Sequence, residues 1–453
     1  MSRDLTQGSI LKNLLAMSVP TMIGFSAQMV YDIVDIFWIG RISGEAIAGV
    51  TIFSTLFWLV DILNNIIGQS SISLISQSYG KKDMEGTKKA IEQTITFKFL
   101  VATLAAIMVA IFLRPSLGIF TDDHRVISAA MDYGYIRLFF LPMMFSSYSV
   151  NTALRCIGDA KSPMYIMMTS SLLNVVLDPI MMFELVPGTP IPGLGLGILG
   201  AAVATVISQA VAFLIGFSIL FSGREGIRPS LRGLFKLDRR IDRKLLTIGL
   251  PTGLEGFFRN LSGVVVLKFV AIYGTAAVAA VGVAGRLFGL AFMPLVGLSM
   301  GGAAMVGQNL GKDNVLRARE TAKISALIGF FFMLSFAIIA FFAGEAVLGI
   351  FNKDKEILVY GVSFLRYGSL GISILAFGFG LSAVFGGSGY NIPFVIGSVI
   401  SRWFVQIPIL LIAIMLLKAS IIWVWISYVL SDIAESLVMI VYYRKGNWQK
   451  KRV

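Results

Sequence analysis

Charge is scarce in this sequence. Of 453 residues, 14% are Asp, Glu, Lys or Arg while 56% are hydrophobic, whereas soluble domains are about a quarter charged. With a mean hydropathy of +0.82, that balance excludes a soluble enzyme. Cysteine and histidine are almost absent as well. The lone Cys156 rules out a disulfide framework and paired-thiol metal sites, and the lone His124 rules out imidazole clusters. Long polar stretches are missing: the longest runs from Ser222 to Lys244, so there is no room for a sizeable extramembrane domain. No GxSxG, HExxH or Walker A motif occurs, which leaves no nucleophile elbow, no zincin site and no ATP-driven step.

What is present is apolar sequence in blocks of membrane-spanning length. Stretches fall at 13–39, 46–72, 90–113, 128–156, 162–186, 194–221, 245–272, 277–303, 320–344, 357–387, 392–417 and 420–443, each long enough to cross a hydrocarbon core of about 30 Å. The reading is an all-α polytopic membrane protein with twelve spans. The first stretch is longer than a signal-peptide core and contains Asp32 and Asp35, so it is expected to stay as a span. GLGLGILG at 193–200 lacks a strand context, and is expected to be membrane-helix glycine rather than a nucleotide fingerprint.

The net charge is +13, and its distribution matters more than its sum. Lys81, Lys82, Lys88 and Lys89, Arg155 and Lys161, the run from Arg224 to Lys244, Lys312 to Lys323 and the basic carboxy terminus fall in alternate loops. The opposite loops hold few cations, so the positive-inside rule places the basic set and both termini in the cytoplasm of a cell (inner) membrane protein. Basic residues confined to short loops offer no compact nucleic-acid face.

The chain repeats. LLAMSVPTMIG at 14–24 aligns with LLTIGLPTGLE at 245–255, and SQSYGKKDMEGTKKA at 76–90 with GQNLGKDNVLRARETA at 307–322, placing Gln77 against Gln308 and Gly80 against Gly311. GIFTDD at 118–123 matches GIFNKD at 349–354, and Pro163 matches Pro393. The expected organisation is an amino-terminal six-helix lobe over 1–222, a basic cytoplasmic linker over 223–244 and a carboxy-terminal six-helix lobe over 245–453. Two halves of six spans enter the membrane in the same sense, an arrangement typical of alternating-access transporters.

These motifs also carry a resemblance. With MVYDIVDIFWIGR in the first span, NTALRCIGDAKSP between spans four and five, NVVLDP in the fifth and GILGAAVATVIS in the sixth, the chain resembles the multidrug and toxic compound extrusion (MATE) family along nearly its whole length. The resemblance implies a transporter rather than an enzyme. It also implies that the acid at Asp35 and the pair Asn174 and Asp178 line an amino-terminal cavity involved in cation coupling.

The residues point the same way on their own. A carboxylate at the centre of a membrane helix costs roughly 2.5–3.5 kcal/mol, so each one needs a partner, water or a purpose. Asp35 lies ~8 Å and Asp178 ~12 Å before the outer ends of their spans, at similar depth. Tyr31 shares a helix face with Asp35, as Asn174 does with Asp178. Pro179 frees the carbonyl of Val175, and Thr205 in span six adds a hydroxyl, so the set suits a shared proton or a Na+ held by Asp35, Asn174, Asp178 and Thr205. The second half has Val266 or Leu267 and Ile407 or Pro408 at the matching positions, and that one-sidedness favours function. Tyr31 and Asn151 are expected in the substrate cavity, with Glu255 as a competing site whose plainer reading is an ion pair with Arg259. Asp61, with Asn64 and Asn65 in span two, is expected to make helix-to-helix hydrogen bonds, the other reading being the cytoplasmic part of the cavity, and Asp432 and Glu435 are expected to pair with Arg402 or Arg366. No cofactor is expected beyond the coupling ion, H+ or Na+.

The function expected is cation-coupled export of amphipathic, cationic organic compounds by a monomer. The alternative is a lipid-linked saccharide flippase, in which Arg259, Lys268, Arg286, Arg366 and Arg402 receive an anionic headgroup.

Overall fold

A computed structural model of the chain describes residues 4–351 and 353–453; Asn352 in the second GIF motif lies outside them. The described residues contain helices and two isolated bridges, Leu185 with Pro192 and Arg224 with Ile227, but no strand. The first half comprises α1 (Ile10–Ile39), α2 (Gly44–Gly80), α3 (Met84–Leu117), α4 (His124–Phe139), α5 (Leu141–Cys156), α6 (Lys161–Met182), α7 (Gly197–Phe221) and the short α8 (Leu231–Leu234). The second comprises α9 (Arg239–Ala271), α10 (Thr275–Gly311), α11 (Val315–Phe351), α12 (Lys355–Leu381), α13 (Ala383–Ser388), α14 (Ile392–Ser398), α15 (Ile407–Leu410), α16 (Ile422–Lys445) and α17 (Asn447–Lys450).

Among the described residues, ten helical segments are long and apolar enough to cross a bilayer. Two more spans complete the twelve expected. One is the α4–α5 pair, broken where Pro142 withholds a donor from the Leu138 carbonyl. The other is α9, whose charged first turns, Glu255 and Arg259 lower its hydropathy. Outward-facing apolar residues such as Leu104, Ile111, Phe342 and Ile350 are strongly exposed, as a surface solvated by lipid requires.

The repeat is visible in backbone detail. Asp83 caps α3 by accepting from Gly86 N at 2.8 Å, and its counterpart Asn314 accepts from Arg317 N at 3.2 Å. The preceding residues Lys82 and Asp313 both adopt left-handed conformations, φ 62 and 59. Asp123 and Asp354 cap α4 and α12 in the same way, accepting from Arg125 N and Glu356 N, each at 2.9 Å. The mates of span five differ: α6 is one continuous helix, whereas its partner carries π-helical segments at Val399–Gln406 and Leu411–Leu416, flanking Pro408.

By packing, the chain divides into two compact units. The first takes Ile23–Ser71 and Lys82–Leu246; the second takes residues 4–22, Ile72–Lys81 and Thr247–Val453. Repeat and packing are thus different divisions of the chain. The first unit centres on Ile39, Phe53, Ala102, Leu113, Ala130, Leu138, Phe145 and Ala201. The second has a core around Val270, Ala284, Leu348, Phe364 and Trp425. Within the second unit the repeat-related loops meet reciprocally: a Cβ on Gly80 would overlap the Gln308 carbonyl, and one on Gly311 the Gln77 carbonyl. Gln77 Nε2 also donates to the carbonyls of Gly387 and Ser388, at 3.0 and 3.2 Å.

The glycine-rich stretch at 193–200 corrects the sequence reading. Helix α7 starts only at Gly197, and Gly195 and Gly197 take positive φ, +63 and +57. The stretch before it folds back on α6. Gly193 N, Leu194 N, Gly195 N and Leu196 N donate to the carbonyls of Glu184, Ile180, Phe183 and Met181, at 2.8–3.0 Å. A side chain on Gly193 or Gly200 would strike the backbone of that helix end. The glycines thus satisfy carbonyls at the α6 terminus that the helix leaves open.

Candidate functional site

The candidate site lies in the first unit, where α1, α5, α6 and α7 each contribute polar side chains from a single face. On α6, Asn174 and Asp178 are one turn apart and both are buried. Asn174 Nδ2 donates to Asp178 Oδ1 at 3.1 Å and to Thr205 Oγ1 on α7 at 3.4 Å. Thr205 Oγ1 in turn donates to the Ala201 carbonyl at 3.0 Å. Helix α6 runs through Pro179, and the returning loop just described pins the residues immediately beyond it, which holds Asp178 in place.

On α1, Asp35 and Tyr31 are one turn apart and buried, while Asp32 is exposed on another face. The carboxylates of Asp35 and Asp178 lie within electrostatic reach of each other. Tyr31 and Asn151 line a partly open cavity together with Gln28, Tyr148, Ser170 and Gln209. Its wall includes Ser170 and Ser171, one turn from Asn174, so the acids stand one helical turn beyond the cavity lining. Gln28 Nε2 donates to Tyr148 Oη at 2.9 Å.

Four oxygens of the acid layer and the adjoining cavity wall have no hydrogen-bond partner. Asp35 Oδ1, Asp178 Oδ2, Asn174 Oδ1 and Asn151 Oδ1 are buried without a partner, and all four are acceptors. Buried polar atoms are normally satisfied. Oxygen donors of this kind match the hard-ligand preference of a small cation. Among the described residues no group of three or more His, Cys, Asp or Glu is arranged to hold a metal ion.

Two cations in this unit escaped the sequence reading. Arg137 on α4 donates from Nη1 to Tyr133 Oη at 3.1 Å, stands 5.5 Å from the Phe57 ring, and is within electrostatic reach of Asp32 and Asp35. Lys98 on α3 is buried, 5.9 Å from the rings of Phe145 and Tyr148, and feels the charge of Asp61. The rule that flags an intramembrane carboxylate flags an intramembrane cation equally, and would have found both.

Glu255 is in the second unit and forms the expected pair: Arg259 Nε donates to it at 2.5 Å, and Arg259 Nη2 reaches Glu435 at 2.6 Å. Arg402 pairs with Asp432 at 3.4 Å and lies 3.9 Å from Glu435, which also accepts from Ser401. Arg366 donates to the Phe341 carbonyl instead. Asp61 accepts from Asn64 and Asn65 at 3.0 and 3.1 Å, bonds made within α2 rather than to another helix as expected.

Comparison with known proteins gives a concordant result. The family profile described as MatE matches residues 20–180 and 251–412, together well over half of the chain. The probable multidrug resistance protein YoeA of Bacillus subtilis (strain 168) is 28% identical, covering 98% of this chain and 96% of that protein. The probable multidrug resistance protein NorM of Thermotoga maritima is 25% identical, covering 98% and 94%. A solved structure described as the outward-facing conformation of a multidrug resistance MATE family transporter superposes with a TM-score of 0.87 at 24% identity, covering 98% of both chains.

Proposed function

The chain belongs to the multidrug and toxic compound extrusion (MatE) family of membrane transporters, and from that premise we propose that it is a cation-coupled antiporter exporting amphipathic, largely cationic organic compounds by alternating access. The observation that carries this reading is the layer of four buried, unpartnered oxygen acceptors at Asp35, Asp178, Asn174 and Asn151. Such a layer binds H+ or Na+ when empty of substrate. A substrate cation entering the cavity beside Tyr31 and Asn151 competes for the same negative charge, and that competition couples the two fluxes. The relatives named for multidrug resistance support the substrate class.

The headgroup-binding alternative draws less support, because Arg259 and Arg402 are already neutralised by Glu255, Glu435 and Asp432. In the orientation proposed, both termini and residues 222–244 are cytoplasmic. A cysteine replacing the exposed Arg228, in a chain without Cys156, should resist an impermeant thiol reagent applied to intact cells; labelling from outside would reverse the topology. The mechanism is tested in proteoliposomes loaded with an amphipathic dye, with pH and Na+ gradients imposed separately. Dye flux driven by one gradient and abolished by its collapse is expected. Flux indifferent to both gradients rules the coupling out.

A further inference from the structure

The basic connection between α7 and α9 is clamped rather than loose. Glu92 on α3 is buried and accepts from Ser230 N at 2.6 Å and Ser230 Oγ at 2.9 Å. Gln93 accepts from Asp238 N at 2.8 Å through Oε1 and donates to the Lys236 carbonyl through Nε2. One turn deeper, Thr96 Oγ1 donates to the Leu234 carbonyl at 2.7 Å. Lys89 pairs with Asp238 at 2.5 Å. A Cβ on Gly233 would overlap the Glu92 carboxylate, so α8 lies flush against α3.

The clamp sets the depth of the segment. Just beyond Thr96, helix α3 turns Phe99 and Leu100 outward, each nearly half exposed, and these begin its lipid-facing surface. The segment held at residues 92–96 therefore sits where α3 passes from headgroups into hydrocarbon. At that level Leu231, Phe235 and Leu237 point outward, 60%, 88% and 61% exposed. Arg232, Lys236, Arg239 and Arg240 are interleaved with them and exposed too. The one acid in 231–240, Asp238, is taken up by Lys89.

We propose that residues 231–240 form a fixed interfacial anchor that binds anionic phospholipid. Phe235, flanked by Leu231 and Leu237, enters the acyl-chain boundary, and the four cations gather headgroups of net negative charge. Apolar side chains beside unneutralised cations at headgroup depth select charged over zwitterionic lipid, because a zwitterionic headgroup satisfies only the apolar part. The inference rests on the linker alone and is independent of what the protein carries.

Phe235→Trp tests it in the full-length protein, since that side chain is exposed and the exchange does not disturb packing. The emission added by the new indole, over that of the parent protein, is measured in phosphatidylcholine vesicles with a minor fraction of brominated phosphatidylglycerol or brominated phosphatidylcholine. Quenching at least about threefold stronger by the anionic lipid is expected, because each basic residue near an anionic surface contributes roughly a fivefold preference at full contact. The preference should fall with added salt, fall when Arg232→Gln and Lys236→Gln are added, and disappear when Arg239→Gln and Arg240→Gln are added as well. Equal quenching by the two lipids overturns the anionic selection. Absence of quenching by either overturns the anchor and makes this a surface that faces water or another protein.

Discussion

Asp35 is the residue on which the proposed coupling turns. Asp35→Asn keeps volume and hydrogen-bonding capacity but deletes the titratable charge, and removing a buried charge eases insertion. Normal yield and thermal stability are expected, with no accumulation of substrate against a gradient in vesicles. Asp178→Asn should behave alike, and the double variant should be no worse than either single one, because the two act in one step. Glu255→Gln is the control. If it stops export while Asp35→Asn does not, the coupling site belongs in the second unit. Asp159, in the turn between α5 and α6, has a structural role instead. Burial would raise its pKa, but bonds from Ser162 N and Oγ and the guanidinium of Arg224 at 2.8 Å outweigh burial and hold it below the ordinary 3.8. A depressed carboxylate contributes stability above its unfolded pKa and loses it as pH falls through the folded value. Asp159→Asn should therefore cost about 1 kcal/mol near neutral pH, discounted because Arg224 is 43% exposed. The difference in melting temperature from wild type should close below about pH 4.

Three long helices, α1, α2 and α9, contribute to both compact units, and α1, which carries Asp35, changes from one to the other between Met22 and Ile23. Pro20 lies two residues before that change and leaves the Ala16 carbonyl without its helical donor. Flexing there would relay an event at Asp35 along the helix. Pro20→Ala is expected to preserve expression and substrate binding while slowing transport by roughly an order of magnitude; an unchanged rate leaves the proline a purely architectural role. The helices and their repeat were legible because hydrophobic block length and recurring motifs are local signals, whereas the matching caps at Asp83, Asp123, Asn314 and Asp354 emerge only in the structure. The pairs Glu255 with Arg259 and Asn174 with Asp178 were legible because four-residue spacing fixes a shared face. The clustering of Arg137 with Asp35 was not, since α1 and α4 are brought together only by packing. The loop at 193–196 was misread because an apolar, glycine-rich stretch has the hydropathy of a span, while its positive φ angles are a backbone property that hydropathy does not register.

For the whole molecule, the repeat does more than generate twelve similar helices. Where Gly80 meets Gln308 and Gly311 meets Gln77, each member of a repeat pair packs on the mate of its neighbour, the self-complementary pattern of a two-fold interface. Adding a methyl on either side meets backbone rather than a flexible side chain. Gly80→Ala and Gly311→Ala should each lower thermal stability by about 1–3 kcal/mol, and by similar amounts, as thermal denaturation in detergent will measure. Markedly unequal losses would show that the reciprocity is only geometric. The contact of Gln77 with Gly387 also carries a consequence for the order of assembly. The two residues are 310 positions apart, and at about 5–20 residues per second a ribosome takes ~15–60 s to supply the second after the first. For that interval the end of α2 has been made but the carbonyls that Gln77 Nε2 finally binds have not. A polar glutamine beside glycines, at a helix end and not in the hydrocarbon, suits a segment that must wait in water before it is claimed.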